Sequence, residues 1–282
     1  MDLDGAIDLH VHTAPDIYGR SVDDQEAVDD AARAGMRAIL LKSHHTLTAD
    51  RAALAGKGQG VRVFGGLALN WPCGGLNPVA VETALAFGAK QIWLPTLHAA
   101  HCLSVAEQAV FRAEVEKGRR GIAVIAPDGT PAPGLLPIME QVRDADAILG
   151  TGHVAPREGL AVLRQAKDMG LRKALVTHPH MSFTRYTLAE MAAAAALGGV
   201  LEFDYLSCMP SWIGAVPVEE TARAIAAVGP RHCVIATDGG QEENPRPAAM
   251  LAAFADELAA AGATPEALRL MMRENPAWLL GV

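Results

Sequence analysis

The sequence predicts a closed (β/α)8 barrel, the TIM-barrel fold, in a single domain over residues 1–282. Eight short apolar runs alternate with longer segments of helical periodicity, which is the pattern of repeated βα units around a parallel sheet. The chain has 282 residues, of which 50% are hydrophobic, so it can bury one large core. Because no repeat or low-complexity linker divides it, we expect one domain.

The apolar runs are interpreted as the barrel strands. In chain order they are Ile7–His12, Arg37–Lys42, Val61–Asn70, Gln91–Leu97, Ala147–His153, Ala174–His178, Gly199–Phe203 and Cys233–Asp238. Gly121–Ala126 is also strand-like, and the Asp128-Gly129 pair that follows it indicates a turn. We assign this segment to a small β-hairpin inserted after strand four. If it belonged to the barrel instead, the strand numbering from five onward would shift by one.

The segments between the strands have the apolar periodicity of helices. They are Val22–Ala34, Thr48–Lys57, Pro78–Phe87, Val105–Lys117, Pro156–Met169, Leu188–Leu197, Pro217–Val228, Pro247–Ala261 and Pro265–Leu280. Proline is tolerated at the first position of a helix, so the prolines that begin several of these segments agree with this assignment.

Charge and cysteine usage exclude several classes of function. The formal net charge of −8 argues against a nucleic-acid-binding protein and against binding to an anionic membrane, and favours a small-molecule substrate. The cysteines contain no Cys-x-x-Cys pair, as expected for reduced thiols in the cytoplasm. They are Cys73, Cys102, Cys208 and Cys233. We expect no signal peptide and no membrane anchor, and the sequence leaves a homo-oligomer open.

His10 and His12 lie two residues apart in the first predicted strand. Side chains alternate along a strand, so both imidazoles are expected on one face, with Leu9 and Val11 on the other. Two oriented imidazoles form half of a site for zinc or a similar divalent ion. The same pattern also arises by chance in surface strands and loops, so the rest of the chain has to decide.

Polar residues gather at the carboxyl ends of the predicted strands. Nine of the ten histidines lie at or just beyond such an end, and only His232 precedes a strand. The polar residues at these ends include His10, His12, Lys42, His44, His45, His98, His101, His153, His178, His180, Glu202, Asp204 and Asp238. The carboxyl ends form the reactive face of a (β/α)8 barrel. Imidazoles and a carboxylate converging from strands one, five, six and eight therefore predict a metal centre.

This arrangement resembles the amidohydrolase superfamily of metal-dependent hydrolases. In that superfamily a His-x-His lies on strand one, histidines end strands five and six, and an aspartate ends strand eight. The matching metal ligands here are His10, His12, His153, His178 and Asp238. The resemblance covers the whole chain, because Asn275–Gly281 looks like the superfamily's last helix and Asp8–Asp16 looks like the opening of a small branch of it.

The resemblance implies one or two divalent ions, with zinc expected first and Mn or Fe as alternatives. Binuclear members carry a carboxylated lysine or a glutamate at the end of strand four, whereas this chain offers Thr96, His98 and His101 there. Lys42 on strand two is either a carboxylated replacement for that bridge or an ammonium that binds a substrate carboxylate or pairs with Glu202 or Asp238. We favour the ammonium, since a buried lysine among carboxylates serves as a fixed charge.

The predicted chemistry is hydrolysis of an amide, a lactone or a related carbonyl compound. A divalent ion lowers the pKa of a bound water. The resemblance implies that Asp238 is the general base that takes the water's proton. Lys42 or His178 is expected to stabilise the oxyanion. Substrate-binding residues are predicted on the loop face, and these are Lys42, His44, His98, His180 and Arg185.

Three other functions remain open at this stage. A metal-dependent decarboxylase of an unsaturated or aromatic acid would release CO2 without incorporating water. A histidinol-phosphatase-like phosphoesterase also begins with His-x-His but uses a larger cluster of metal ligands. A barrel that binds a metal without catalysis would show no turnover.

Overall fold

The computed structural model describes residues 1–105 and 107–282, and it confirms the predicted (β/α)8 barrel. Eight parallel strands are hydrogen-bonded in chain order. They are β1 (Ile7–His12), β2 (Ala38–Lys42), β3 (Arg62–Ala68), β4 (Gln91–Trp93), β5 (Ile148–Gly150), β6 (Ala174–Thr177), β7 (Val200–Asp204) and β8 (Cys233–Ala236).

Contacts between β1 and β8 bring the two edges of the sheet together. The backbone N–H of His12 donates to the carbonyl of Gly239 at 2.8 Å. Below this contact, the Thr237 hydroxyl donates to Asp8 Oδ2 at 2.6 Å. Asp8 is buried, and burial raises the pKa of its carboxyl to about 6. The first and last strands are thus joined directly beneath the predicted metal ligands.

The barrel interior is apolar near the amino ends of the strands and polar near their carboxyl ends. The interior cluster consists of Ile7, Leu9, Ala38, Leu40, Ala68, Trp93, Ile148, Leu175, Val200, Val234, Ala277, Leu279 and Leu280. Two residues beyond Leu40 the same face of β2 carries Lys42, and two beyond Val200 the same face of β7 carries Glu202. The apolar layer therefore supports a layer of buried charged residues.

Strand β1 does not alternate strictly. Between Asp8 and Val11 its register against β2 shifts, which is the mark of a β-bulge. As a result Leu9 belongs to the interior cluster, whereas Val11 packs in the cluster between the sheet and the helices. The prediction of a common face for these two residues is wrong. The rings of His10 and His12 still lie side by side, with centroids 5.5 Å apart.

Helices surround the sheet and pack on its outer face. They are α1 (Asp24–Arg33), α2 (Ala49–Ala55), α3 (Pro78–Ala86), α4 (Ala100–Val105), α5 (Ala109–Glu116), α6 (Leu135–Asp144), α7 (Pro156–Asp168), α8 (Leu188–Ala196), α9 (Val218–Val228), α10 (Pro247–Ala260), α11 (Pro265–Arg269) and α12 (Asn275–Leu280). A π-helical turn, Leu270–Glu274, joins the last two, so the predicted final helix is continuous but irregular. Three residues of α12 belong to the interior cluster, and they close the barrel at the amino ends of the strands. They are Ala277, Leu279 and Leu280.

Local sequence signals explain several helix starts. Asp23 accepts from the backbone N–H of Glu26 at 2.8 Å, and the Glu26 carboxylate accepts from the N–H of Asp23 at 3.0 Å. Thr187 and Glu190 form the same reciprocal arrangement at the start of α8. Each such capping box satisfies backbone donors that have no partner within the helix.

The connection between β4 and β5 differs from the prediction. The hairpin is not confirmed as a pair of strands, because only an isolated bridge joins Ile125 and Pro131 around the turn at Gly129. Helix α6 follows and was not predicted. Its buried residues Leu135, Ile138, Met139 and Val142 have helical spacing, which was the available signal for this helix.

Two further predictions concern helices. The predicted helix Val105–Lys117 includes Ala106, which lies outside the described residues, and α5 covers its second part. None of the helices in the described ranges combines the length and the apolar character needed to cross a bilayer.

Candidate metal centre

Asp238 is the point at which the predicted metal ligands meet. Its Oδ1 lies 3.1 Å from Nε2 of His10 and 3.0 Å from Nε2 of His12. Its Oδ2 lies 3.8 Å from Nε2 of His178. One carboxylate from the end of β8 thus faces imidazole nitrogens from β1 and β6. All four residues are buried.

The backbone at two of these residues is unusual. His178 has φ 57° and Asp238 has φ 47°, both in the left-handed region that residues with a Cβ rarely adopt. Each lies immediately beyond the end of its strand, where the left-handed conformation changes the direction of the side chain. Such conformations cost free energy and concentrate at functional sites.

Gly240 supports the same region. Its φ is 120°, and a Cβ at this position would collide with the backbone carbonyl of His12. The loop after β8 can therefore pass close to the end of β1 only with glycine at this position.

Two acidic residues of β7 hold the far sides of the histidine rings. Nδ1 of His10 lies 2.7 Å from Glu202 Oε1, and Nδ1 of His178 lies 2.6 Å from Asp204 Oδ2. A carboxylate that accepts a hydrogen bond from Nδ1 fixes the tautomer in which Nε2 carries a lone pair for a metal. Glu202 and Asp204 therefore orient the two rings toward Asp238.

Lys42 ends β2 at the level of His12, its partner in the register between β1 and β2. Its Nζ is 2.7 Å from Nε2 of His10 and 5.3 Å from the ring centroid of Trp93. Its side chain is among the largest fully buried in the described residues. Burial lowers the pKa of this amine, and the carboxylates of Asp238 and Glu202 oppose that shift.

His153 completes the cluster from the end of β5. Its Nδ1 lies 3.7 Å from Cys102 Sγ, and its buried Nε2 has no hydrogen-bond partner among the described residues. Its ring centroid is 5.1 Å from that of His178 and 4.5 Å from that of Phe183. A buried imidazole nitrogen without a partner is costly unless something binds it.

Burial keeps the surrounding imidazoles neutral. It lowers the pKa of His12 and of His178 to about 3, and it lowers the pKa values of His44 and His153 well below the ordinary range. Neutral imidazole is the form that binds a metal.

His10 differs from the other rings. Burial and the neighbouring ammonium of Lys42 lower its pKa, but the carboxylates of Asp238 and Glu202 outweigh them and raise it to about 10. The imidazoles of His10 and His178 outweigh the effect of burial on Asp238, and they hold the pKa of its carboxyl well below the usual range. Without an ion, His10 therefore holds a proton between the carboxylates of Asp238 and Glu202, and a bound metal ion would displace that proton.

The chemistry of these donors fits a divalent metal. The ligand atoms of His10, His12 and Asp238 all lie within 4.8 Å of one another. The same holds for His10, His178, Glu202 and Asp204. In this second group the distances of 2.6–2.7 Å between Nδ1 and carboxylate oxygens are hydrogen-bond distances, so these carboxylates serve the rings rather than the ion. Imidazole and carboxylate are the donors that zinc, manganese and iron share.

Of the predicted substrate-binding residues, only some lie at the cavity next to the metal ligands. A cavity of about 440 Å³ opens above the ligands, and His44 lines it together with His12, His153, His178 and Asp238. Lys42 is not part of its wall.

Three of those predicted residues contact other groups and do not line the cavity. His98 Nε2 lies 3.0 Å from Glu114 Oε2, and His180 Nδ1 lies 3.0 Å from Thr221 Oγ1. The exposed Arg185 donates to the carbonyl of Gly214 at 2.9 Å.

The only predicted role for the two acidic residues of β7 was a pairing of Glu202 with Lys42, and none was predicted for Asp204. Alternation along β7 was the available signal, since Val200, Glu202 and Asp204 share the face that points into the barrel.

Comparison with protein families gives one match, over residues 5–202, which is more than half of the chain. The chain belongs to DUF6282, a family of unknown function. The matched region of this DUF6282 protein runs from β1 to Glu202 and includes the histidines predicted as metal ligands, whereas Asp204 and Asp238 lie beyond it. No curated protein matches the chain significantly.

Solved structures similar to this DUF6282 protein share its fold at low sequence identity. An amidohydrolase from Pseudomonas aeruginosa has a TM-score of 0.62 and 12% identity over 98% of this chain and 95% of its own. A putative 2-pyrone-4,6-dicarboxylic acid hydrolase from Pseudomonas putida has a TM-score of 0.63 and 13% identity over 100% and 98%. A 2,6-dihydroxybenzoate decarboxylase from Rhizobium has a TM-score of 0.60 and 11% identity over 99% of both chains. The likeness shows a common barrel.

Proposed function

We propose that this DUF6282 protein is a metal-dependent hydrolase that cleaves a C–N or C–O bond next to a carbonyl group. The observation that carries the proposal is the position of Asp238 Oδ1, 3.0 Å from Nε2 of His12 and 3.1 Å from Nε2 of His10. His153 and His178 add two further imidazoles at the same face of the barrel. This set supports the amidohydrolase type of chemistry that the sequence predicted.

We propose that His10, His12, His153, His178 and Asp238 hold the ion, with zinc as the first choice. When bound, the metal supplies a Lewis acid and lowers the pKa of water at the site. Asp238 is suited to hold a proton during attack on the carbonyl, because one of its oxygens faces His10 and His12 and the other faces His178. It returns that proton to the leaving group.

Lys42 is proposed as a fixed positive charge beside the ligands. It does not line the cavity, and its amine contacts His10 directly. In this position it offsets the negative charges of Glu202 and Asp238. Carboxylation of Lys42 is the alternative, and electron density or mass analysis of the metal-loaded protein would reveal it.

The decisive experiment combines metal analysis with the variant Asp238→Asn. After reconstitution and gel filtration, we expect at least one divalent ion per chain in both proteins by mass spectrometry. Turnover of an amide or lactone found by screening should fall by about 10²–10⁴-fold in the variant, because the general base is lost. The matched control is Asp168→Asn, an exposed change on α7. Less than one ion per chain in the parent protein would show the proposal to be wrong. Unchanged turnover in Asp238→Asn would do the same.

Product analysis separates hydrolysis from the alternatives. A hydrolase incorporates oxygen from ¹⁸O-labelled water into the acid product, whereas a decarboxylase releases CO2 without that incorporation. Rapid cleavage of a generic phosphate monoester, with three metals per chain, would favour the phosphoesterase.

A further inference from the structure

Aromatic rings form part of the cavity wall next to the metal ligands. His153 lies 4.5 Å from Phe183, and Phe183 lies 6.0 Å from Trp212, measured between ring centroids. Phe111 packs edge-on against Phe183 at 5.3 Å. Leu97, Leu206 and Ile213 add aliphatic surface. The wall therefore suits an apolar, planar body that leads outward from the metal ligands.

The one cation of this wall, among the described residues, is already neutralised. Arg20 donates to Asp16 Oδ2 from Nε at 3.0 Å and from Nη2 at 2.6 Å. Its Nη2 also lies 3.3 Å from Nδ1 of His12. Both Arg20 and Asp16 side chains are nearly inaccessible to solvent, with 5% and 1% exposed. The pair adds no net charge for a substrate to meet.

The solvent end of the cavity is acidic. Glu242 and Glu243 line it and are exposed, and neither forms an ion pair with residues 1–105 or 107–282. Lys42, which was predicted to bind a substrate carboxylate, and Arg185, which was predicted to bind the substrate, are not part of the wall. The cavity thus combines π faces with two uncompensated carboxylates.

We propose that the substrate carries a positively charged, ammonium-type group at the end of an apolar body, with the scissile carbonyl at the opposite end. The carboxylates of Glu242 and Glu243 attract a cation and repel an anion. Trp212 also lines the cavity, and an indole ring attracts a cation placed over its face. This inference rests on the proposed hydrolase site, because it assigns the carbonyl end to the metal.

Binding of three benzohydroxamates that differ only at the para position tests the charge preference without requiring turnover. The hydroxamate group chelates a divalent metal, and the para position is expected to extend from the metal toward the solvent end of the cavity. The probes are 4-(aminomethyl)benzohydroxamic acid, benzohydroxamic acid and 4-carboxybenzohydroxamic acid. Calorimetry on the zinc-loaded protein should give the tightest binding for the ammonium probe, about tenfold or more tighter than for the carboxylate probe. The preference should shrink as salt is added.

Two double variants locate the effect. Glu242→Gln with Glu243→Gln should abolish most of the preference for the ammonium probe and leave the neutral probe unchanged. The matched control, Glu219→Gln with Glu220→Gln, removes an adjacent exposed acidic pair from α9 and changes the net charge by the same amount. It should keep the full preference.

The outcomes separate this inference from the proposed function. Equal affinities for the three probes, or tighter binding of the carboxylate probe, would overturn the charge preference and leave the metal site standing. The same loss in both double variants would also overturn it, since net charge rather than the cavity would then be responsible. Failure of all three probes to bind the metal-loaded protein would overturn the metal-site proposal together with the inference.

Discussion

Asp204 Oδ2 lies 2.6 Å from Nδ1 of His178, and neither side chain is accessible to solvent by more than 2%. Asp204 comes from β7 and His178 follows β6, so the hydrogen bond joins neighbouring strands at the carboxyl face of the barrel. It directs Nε2 of His178 toward Asp238. The arrangement repeats at His10, where Glu202 holds Nδ1 at 2.7 Å.

The variant Asp204→Asn should weaken metal binding about 10–100-fold, because it removes the carboxylate that fixes the ring and tautomer of His178. A competition titration against a chromophoric chelator measures the change. Asp168→Asn on α7 serves as the control for the loss of one acidic group. Circular dichroism should show the same secondary structure for both variants. Equal metal affinity in Asp204→Asn and the parent would mean that this hydrogen bond does not position the ligand.

Hydrophobic patterning was sufficient to predict the barrel. The strands are buried on both faces, so they appear as short continuous apolar runs, and the predicted Ile7–His12 agrees with β1 at both ends. Some strands were predicted to be longer than they are, because the chain leaves the sheet earlier than the apolar run ends. The predicted strand Gln91–Leu97 ends at Trp93, since Pro95 has no N–H to donate to a sheet.

The direction of side chains beyond a strand end could not be predicted from spacing. Within β7 the two-residue period places Glu202 and Asp204 inside the barrel, and this rule would have identified both. Beyond the end of a strand, the conformation of the loop determines the direction in which each side chain points. His44 therefore reaches the cavity, whereas His98 turns outward to Glu114.

Replacing His44 and His98 by glutamine in two separate variants tests this difference. His44→Gln should change KM or kcat by at least about tenfold, because His44 lines the cavity with its ring centroid 5.0 Å from that of His12. His98→Gln should leave both constants within about twofold. Steady-state kinetics on the substrate found by screening provide the comparison. A large kinetic effect of His98→Gln would restore it to the substrate site predicted from the sequence.

Replacing Gly240 by alanine should damage both the fold and the metal site. A Cβ there would meet the carbonyl of His12, and a φ of 120° is strained for any residue with a Cβ. Gly262 is the matched control, because its φ of 99° is also positive while nothing lies within 4 Å of its Cβ position. We expect about 1–2 kcal/mol of destabilisation for Gly262→Ala. Gly240→Ala should cost at least about 2 kcal/mol more and should also weaken metal binding. Urea denaturation measures the free energies of unfolding, and equal losses would show that the contact with His12 is unimportant.

The last helix provides a test of stability that is independent of the chemistry. Leu279 of α12 is 1% exposed within the interior cluster, whereas its neighbour Trp278 is 48% exposed. Leu279→Ala should therefore lower the free energy of unfolding by about 2–5 kcal/mol, since it removes apolar contacts and leaves a cavity. Trp278→Ala should cost less than about 1 kcal/mol. Because α12 packs at the amino ends of the strands, Leu279→Ala should retain its metal affinity at temperatures where it is folded. Similar losses for the two variants, or a loss of metal binding by folded Leu279→Ala, would contradict the assignment of stability to one end of the barrel and chemistry to the other.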